Sequence, residues 1–309
     1  MRGMWGVAVS LIAGPCPAQG APLAADRATK KWSWMIGGVL MLGAGLALAG
    51  GRTSLHERSE LSMLVTGTID IEPDGRVSSY ALDRPEALPP AVKQVMDHVA
   101  PAWTFEPPQV DGKPVRARTA MTARIVAKRD ESGKGFSVRV AGATFGKLAK
   151  DEFVSGKTLS PPRYPKVAGM SHASGTVYVV VRIGRDGRVE DALVERVNLT
   201  VIDSESGMKR WRGMLGKAAV EGAREWTFNP PTRGAEVDAP FWLARVPVSF
   251  YVNNAPAPYG QWEVYVPGPR ETTRVQAVDA SPDTDAFADG GIHPLGGDHP
   301  RLLTPLEGA

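Results

Sequence analysis

The sequence predicts an α+β protein made of two similar small units, and three observations predict it. A Gly-Thr-led alternating segment with an Asp-Gly turn occurs twice, at residues 67–77 and 175–189. A Trp-Thr-Phe-x-Pro-Pro segment occurs twice downstream, at 103–108 and 226–231. Between the two, each copy carries a stretch with helical spacing. Repetition of several features in fixed order is the signature of a duplicated supersecondary unit.

Residues 1–31 read as a leader. Its apolar run from Trp5 to Ala13 is signal-like in its own right, and a second such run in tandem suggests translation starting downstream of Met1. The second run, Trp32 to Gly50, is free of charge for nineteen residues and follows Arg27, Lys30 and Lys31. As a helix it would be about 28 Å long, close to the hydrocarbon thickness of a bilayer. The preceding basic residues keep the N-terminal side cytoplasmic and send everything after residue 51 across. Ala47-Leu48-Ala49 also resembles a signal-peptidase site. Two outcomes stay open: a single N-terminal transmembrane helix with an exported C-terminal part, or release after cleavage at Ala49-Gly50.

The first unit is placed at 65–128. Asp74-Gly75 supplies the positive-φ turn of a hairpin. Pro90 suits a first helical turn, and Val92, Val95, Met96 and Val99 follow at helical spacing. Trp103 and Phe105 alternate onto one face and read as core anchors. Residues 129–160 read as a connecting segment with some strand-like alternation. As a flexible coil it would average about 30 Å end to end.

The second unit is placed at 161–253. Val177, Val179, Val181 and Ile183 alternate with Tyr178, Val180 and Arg182, the pattern of a strand with one buried face. Asp186-Gly187 makes the turn, Val189 to Val197 returns, and Met214 to Arg224 is the helix, with Leu215, Ala218, Ala219 and Gly222 on one side. Trp226 and Phe228 anchor the core. Phe241 to Val252 closes the unit as an edge strand, because Pro247 lacks the N–H that a central strand needs. Residues 254–309 form a tail. Its segment from Gln261 to Val266 alternates like a strand and is expected beside the closing strand, covering its edge. From Pro267 onward the composition predicts disorder.

Composition excludes several functions. Charged residues are 22% of the chain with a formal charge of +3, and no basic stripe of the kind nucleic acid requires is present. The single cysteine, Cys16, allows no internal disulfide and no cysteine metal site; preceded by Pro15, it reads as a free thiol, not a lipid acceptor. His56, His98, His172, His293 and His299 are dispersed, and neither G-x-S-x-G nor H-E-x-x-H occurs. The expectation is a binding protein with no catalytic residues, no cofactor and no metal.

The second copy, at 161–252, resembles the TonB C-terminal domain family. The features that carry the resemblance are Pro162-Arg163-Tyr164-Pro165, the strand and Asp-Gly turn from Gly175 to Val189, Trp226-Thr227-Phe228-Asn229-Pro230, and Val246-Pro247-Val248-Ser249-Phe250. The copy at 65–128 looks like a degenerate relative without the Tyr-Pro lead-in. The resemblance implies an inner-membrane anchor, a periplasmic C-terminal domain and a TonB-like energy transducer. It implies as partners an outer-membrane transporter, whose peptide the domain grips, and an inner-membrane motor complex; strand exchange between two copies would give a homodimer. Gripping means adding the peptide as a strand to an exposed edge. The expected site is Tyr164 and Pro165 from the lead-in, with Arg245, Val246, Val248, Ser249, Phe250 and Tyr251 on the closing strand. Two features depart from the family: the anchor segment has no His, and no long Pro-rich spacer follows it. They leave open a passive periplasmic binding or structural module.

Overall fold

The computed structural model describes residues 5–9, 58–110, 112–130, 134–146, 151–234, 236–252, 257–271, 293–295 and 302–306. The two units have separate hydrophobic cores, one around Val92, Met96 and Trp103, the other around Leu215, Trp226 and Phe250.

In unit one, strand β2 (Glu60–Ile71) turns at Asp74-Gly75 into β3 (Val77–Leu82). Helix α1 (Pro90–Val99) follows, with Pro at its N-terminus and Val92, Met96 and Val99 buried. The expected stripe is therefore the observed one, with Val95 partly buried. A two-residue pair, β4 (Gln109–Val110) and β5 (Lys113–Pro114), precedes β6 (Ala117–Arg129), which runs antiparallel along the whole of β2. Residues read from sequence as connecting chain instead form β7 (Phe136–Phe145), paired with β6. Phe145 explains this: its ring packs edge-on against Trp103 and Phe105, so the strand completes the core.

Unit two repeats the plan. After β8 (Ser155–Thr158) and the short helix α2 (Lys166–Met170), β9 (Gly175–Ile183) and β10 (Val189–Leu199) make the hairpin. Helix α3 (Glu205–Ala223) covers it, β11 (Thr227–Asn229) follows, and β12 (Trp242–Val252) lies antiparallel to β9. Helix α3 begins nine residues before the predicted start. Ser204 caps it by accepting the Gly207 N–H, and Asp203 accepts the Trp211 indole N–H at 2.8 Å. Gly207 and Gly213 hid that first half from a periodicity reading. Small residues do permit close packing, since a Cβ on Gly216 would lie 3.2 Å from Val194.

The duplication extends to turn chemistry. Asp74 and Asp186 each accept a hydrogen bond from the backbone N–H two residues on, at 3.0 Å in both turns. Gly75 (φ +85°) and Gly187 (φ +76°) sit in the left-handed region, where a Cβ would stand 2.0 and 2.2 Å from the carbonyl oxygens of Phe105 and Phe228. Those phenylalanines donate their N–H groups back to the same glycines at 2.7 and 2.8 Å. Each Asp-Gly turn is thereby clamped to its own Trp-Thr-Phe segment, whose Trp and Phe are buried as expected.

Strand β9 departs from the one-faced pattern. Tyr178 and Val180 are buried as fully as Val177 and Val179, and only Arg182 alternates to the surface. The physical cause is unit one: buried Arg124 on β6 donates to the Tyr178 hydroxyl at 3.2 Å and to Ser62 on β2 at 2.9 Å. The sheets meet through the faces that their helices leave bare.

The tail joins the units and does not lie where it was expected. Strand β13 (Glu263–Tyr265) pairs with β2, not with β12. Val266 then exchanges two backbone hydrogen bonds with Leu199, at the outer edge of β10. Beyond Pro267, where disorder was predicted, Gly268 donates to the Asn198 side chain and Glu271 to the Glu195 carbonyl. Strand β14 (His293–Leu295) reaches β12, and Leu302 bridges Phe105. The predicted transmembrane run 32–50 lies outside the described residues. Among the described residues, no helix is long and apolar enough to cross a membrane.

Candidate functional site

The expected site is the outer edge of β12, the side away from β9. Its residues come together: Tyr164 packs its ring edge-on against Phe250 at 5.3 Å, and its hydroxyl donates to the Ala173 carbonyl at 2.8 Å. Pro165 caps α2 immediately afterwards. Burial pushes the Tyr164 phenol above its usual pKa. The lead-in thus braces the strand from below.

Side chains along β12 divide by face. Val246, Val248 and Phe250 point into the core beneath α3 and are buried. Ser249 shares a hydrogen bond with Thr176 at 3.0 Å. Tyr251 is half-buried; burial raises its pKa, with a contribution from the Glu263 charge and against a lowering hydrogen bond to Ser249. Most of the predicted side chains therefore turn inward. What the strand offers outward is its backbone, the part of a strand that carries affinity in β-augmentation.

Arg245 is a special case. Its side chain is 2% exposed and forms a two-point ion pair with Glu195, Nε–Oε2 at 2.5 Å and Nη2–Oε1 at 3.0 Å. Arg270 from the tail adds a second cation at 3.0 Å from the same carboxylate. The β9–β10 register skips from Val194 to Arg196, so Glu195 is the extra residue of a bulge. A bulge re-aims its side chain, and here the carboxylate is turned across β9 onto Arg245. The Arg245 side chain therefore braces the sheet, and only its backbone lies on the edge.

The edge itself is filled from within the chain. Strand β1 (Trp5–Val9) runs antiparallel along Val248–Val252, and β14 along Leu243–Arg245. Val246 and Pro247 fall in the gap between them. Sequence reasoning missed both covering strands. The Trp5–Val9 run carried an apolar signal read as leader, whereas β14 is three residues with a central proline and gave none. Glu195 is one of several charges along Val189–Leu199, beside Glu190, Asp191 and Arg196, and nothing in the sequence singles it out.

A hairpin, a covering helix, and a third strand paired with the hairpin's first strand define an α+β module. Residues 160–252 match the family model of the Gram-negative bacterial TonB protein C-terminal, and that segment is a TonB C-terminal domain. Two relatives named "Protein TonB", from Xanthomonas campestris pv. campestris strains B100 and ATCC 33913, are each 32% identical over 100 residues. The match takes in 32% of this chain and 39% of each relative, so the chain spans well under half of their length. No solved structure gives a significant match.

Proposed function

We propose that the chain is a membrane-tethered TonB-like protein of the periplasm, and that it binds a partner's extended peptide as an added strand along β12. The observation that carries this reading is that the outer edge of β12 takes an antiparallel strand at Leu243–Arg245 from β14, a segment on the same side of the anchor run as β12 itself. The partner is an outer-membrane transporter, and the free energy comes from an inner-membrane motor acting through the anchor at 32–50. The role is mechanical and non-enzymatic. Support comes from the family match at 160–252 and from the charge-free run after Lys30 and Lys31.

The test is to titrate the full-length chain with a synthetic peptide from the periplasm-facing end of a TonB-dependent transporter, following amide signals of residues 243–252. Saturable shifts confined to that strand are expected; a peptide that leaves them unmoved removes the reading. One observation favours a passive binding module instead: Trp32–Gly50 contains no His of the kind the family's motor-coupled anchors carry. Growth of a deletion strain on siderophore-bound iron separates the two, since unimpaired uptake in a strain lacking paralogues leaves binding without transduction.

A further inference from the structure

The C-terminal tail after residue 271 does two things at once. At 293–295 it lies on the β12 edge, pairing His293 with Arg245, Pro294 with Ala244 and Leu295 with Leu243. At 302–306 it is fixed to unit one: Leu302 bridges Phe105, the Leu303 N–H donates to the Thr104 carbonyl at 2.7 Å, and the Thr304 hydroxyl accepts the Thr104 N–H at 3.0 Å. Leu302 and Leu306 pack against unit one's core. This second contact is a built one, because unit two fills the same place beside its own Trp-Thr-Phe segment with β8, through Thr227–Thr158 and Asn229–Ser155 pairing.

The two contacts differ in strength by construction. The anchor combines backbone pairing with two half-buried leucines packed against unit one's core. The contact at β12 is three residues long, and Pro294 at its centre has no N–H to give. Only six residues separate the two, so an intact anchor keeps β14 at an effective concentration on the order of millimolar beside the edge. Strand β1 is a different matter. It precedes the run 32–50, so in a chain anchored or cleaved there it does not share a compartment with β12. Strand β14 follows that run and always does.

We propose that β14 is a tethered competitor for the β12 edge, closing Leu243–Arg245 to incoming strands while the Leu302–Leu306 anchor on unit one holds. The inference rests on the strand-addition reading and adds its regulation. Displacement is graded: a longer partner strand able to pair past Pro247 outcompetes a three-residue cover, and loosening the anchor lowers the threshold for shorter ones.

The test compares the full-length chain, the chain ending at residue 271, and the full-length double variant Leu302→Asp/Leu306→Asp. Hydrogen exchange is followed at Leu243–Arg245, with Val177–Val181 as the report of an intact sheet, and affinity is measured for the same transporter peptide. Expected is an increase of tenfold or more in exchange at the outward amides of Leu243–Arg245 in both altered chains, unchanged protection in β9, and peptide binding tightened by at least tenfold. Unchanged exchange at Leu243–Arg245 overturns the proposal whatever the peptide does. Faster exchange with unaltered affinity overturns the competition while leaving strand addition standing. Faster exchange with no binding by any chain fails the strand-addition reading, and the regulation falls with it.

Discussion

At the scale of single residues, the two glycines of the Asp-Gly turns carry unusual weight, because each must hold a positive φ and lie against a carbonyl. Replacing Gly187 by Ala imposes both a left-handed alanine and a Cβ 2.2 Å from the Phe228 oxygen. A loss of at least about 1–3 kcal/mol is expected for that strain, read as a lowered urea midpoint at unchanged m-value. The matching change at Gly75 should act alike on unit one. Glu195 is the other critical residue. Its carboxylate neutralises Arg245 in a place with almost no solvent. Glu195→Ala removes the buried carboxylate that Arg245 and Arg270 both contact, and a cost of about 3–5 kcal/mol is expected. Chemical denaturation of the two chains checks it, and Glu195→Gln should recover part of the loss by keeping an acceptor.

At the scale of elements, the cross-strand pair Asp70–Arg118 ties β2 to β6. Hydrogen bonds from Arg118 and Ser79 hold the Asp70 carboxyl well below the usual carboxylate range. A folded-state value below the unfolded one near 3.8 stabilises the fold above that pH, and the stabilisation is lost as pH falls further. Arg118→Ala should therefore lower stability near neutral pH and leave it unchanged at strongly acid pH, flattening the acid limb between them; the drop is modest because the arginine is largely exposed. Elements also mark how far the sequence could be read. Helix α1, both hairpins, both Trp-Thr-Phe anchors and the β12 site strand were legible, because each follows from local periodicity or turn chemistry. The first half of α3 was hidden by its glycines, and β7, whose alternation was visible, had no assignable place because Phe145 meets Trp103 only in the folded unit. Where β13, β14 and β1 go depends on edges that other parts of the chain leave open, and no local pattern encodes a partner so distant.

At the scale of the whole molecule, the chain passes between the units through residues 146–154, and among the described residues they are also held by the Arg124–Tyr178 contact, by the segment from 257 to 271 that returns across both sheets, and by the anchor at 302–306. Tyr259 takes part by stacking beneath Arg84 at 4.2 Å and donating to the Asp83 carbonyl. A protease site engineered at 147–150 and cut should leave two fragments that co-elute on gel filtration in native buffer and separate only in denaturant. Fragments that part without denaturant would mean that the sheet-to-sheet contacts and β13 contribute little to cohesion.

The borrowing of strands between units has a consequence for anyone who trims the chain by homology. The family boundary at 160–252 begins just after β8 and stops before Val266 and Gly268. A cassette cut there loses the neighbour of β11 and the cover along the edge of β10, while β12 lies bare on the other flank. Such a fragment carries raw seams on both sides of one small sheet, and self-association is its natural fate.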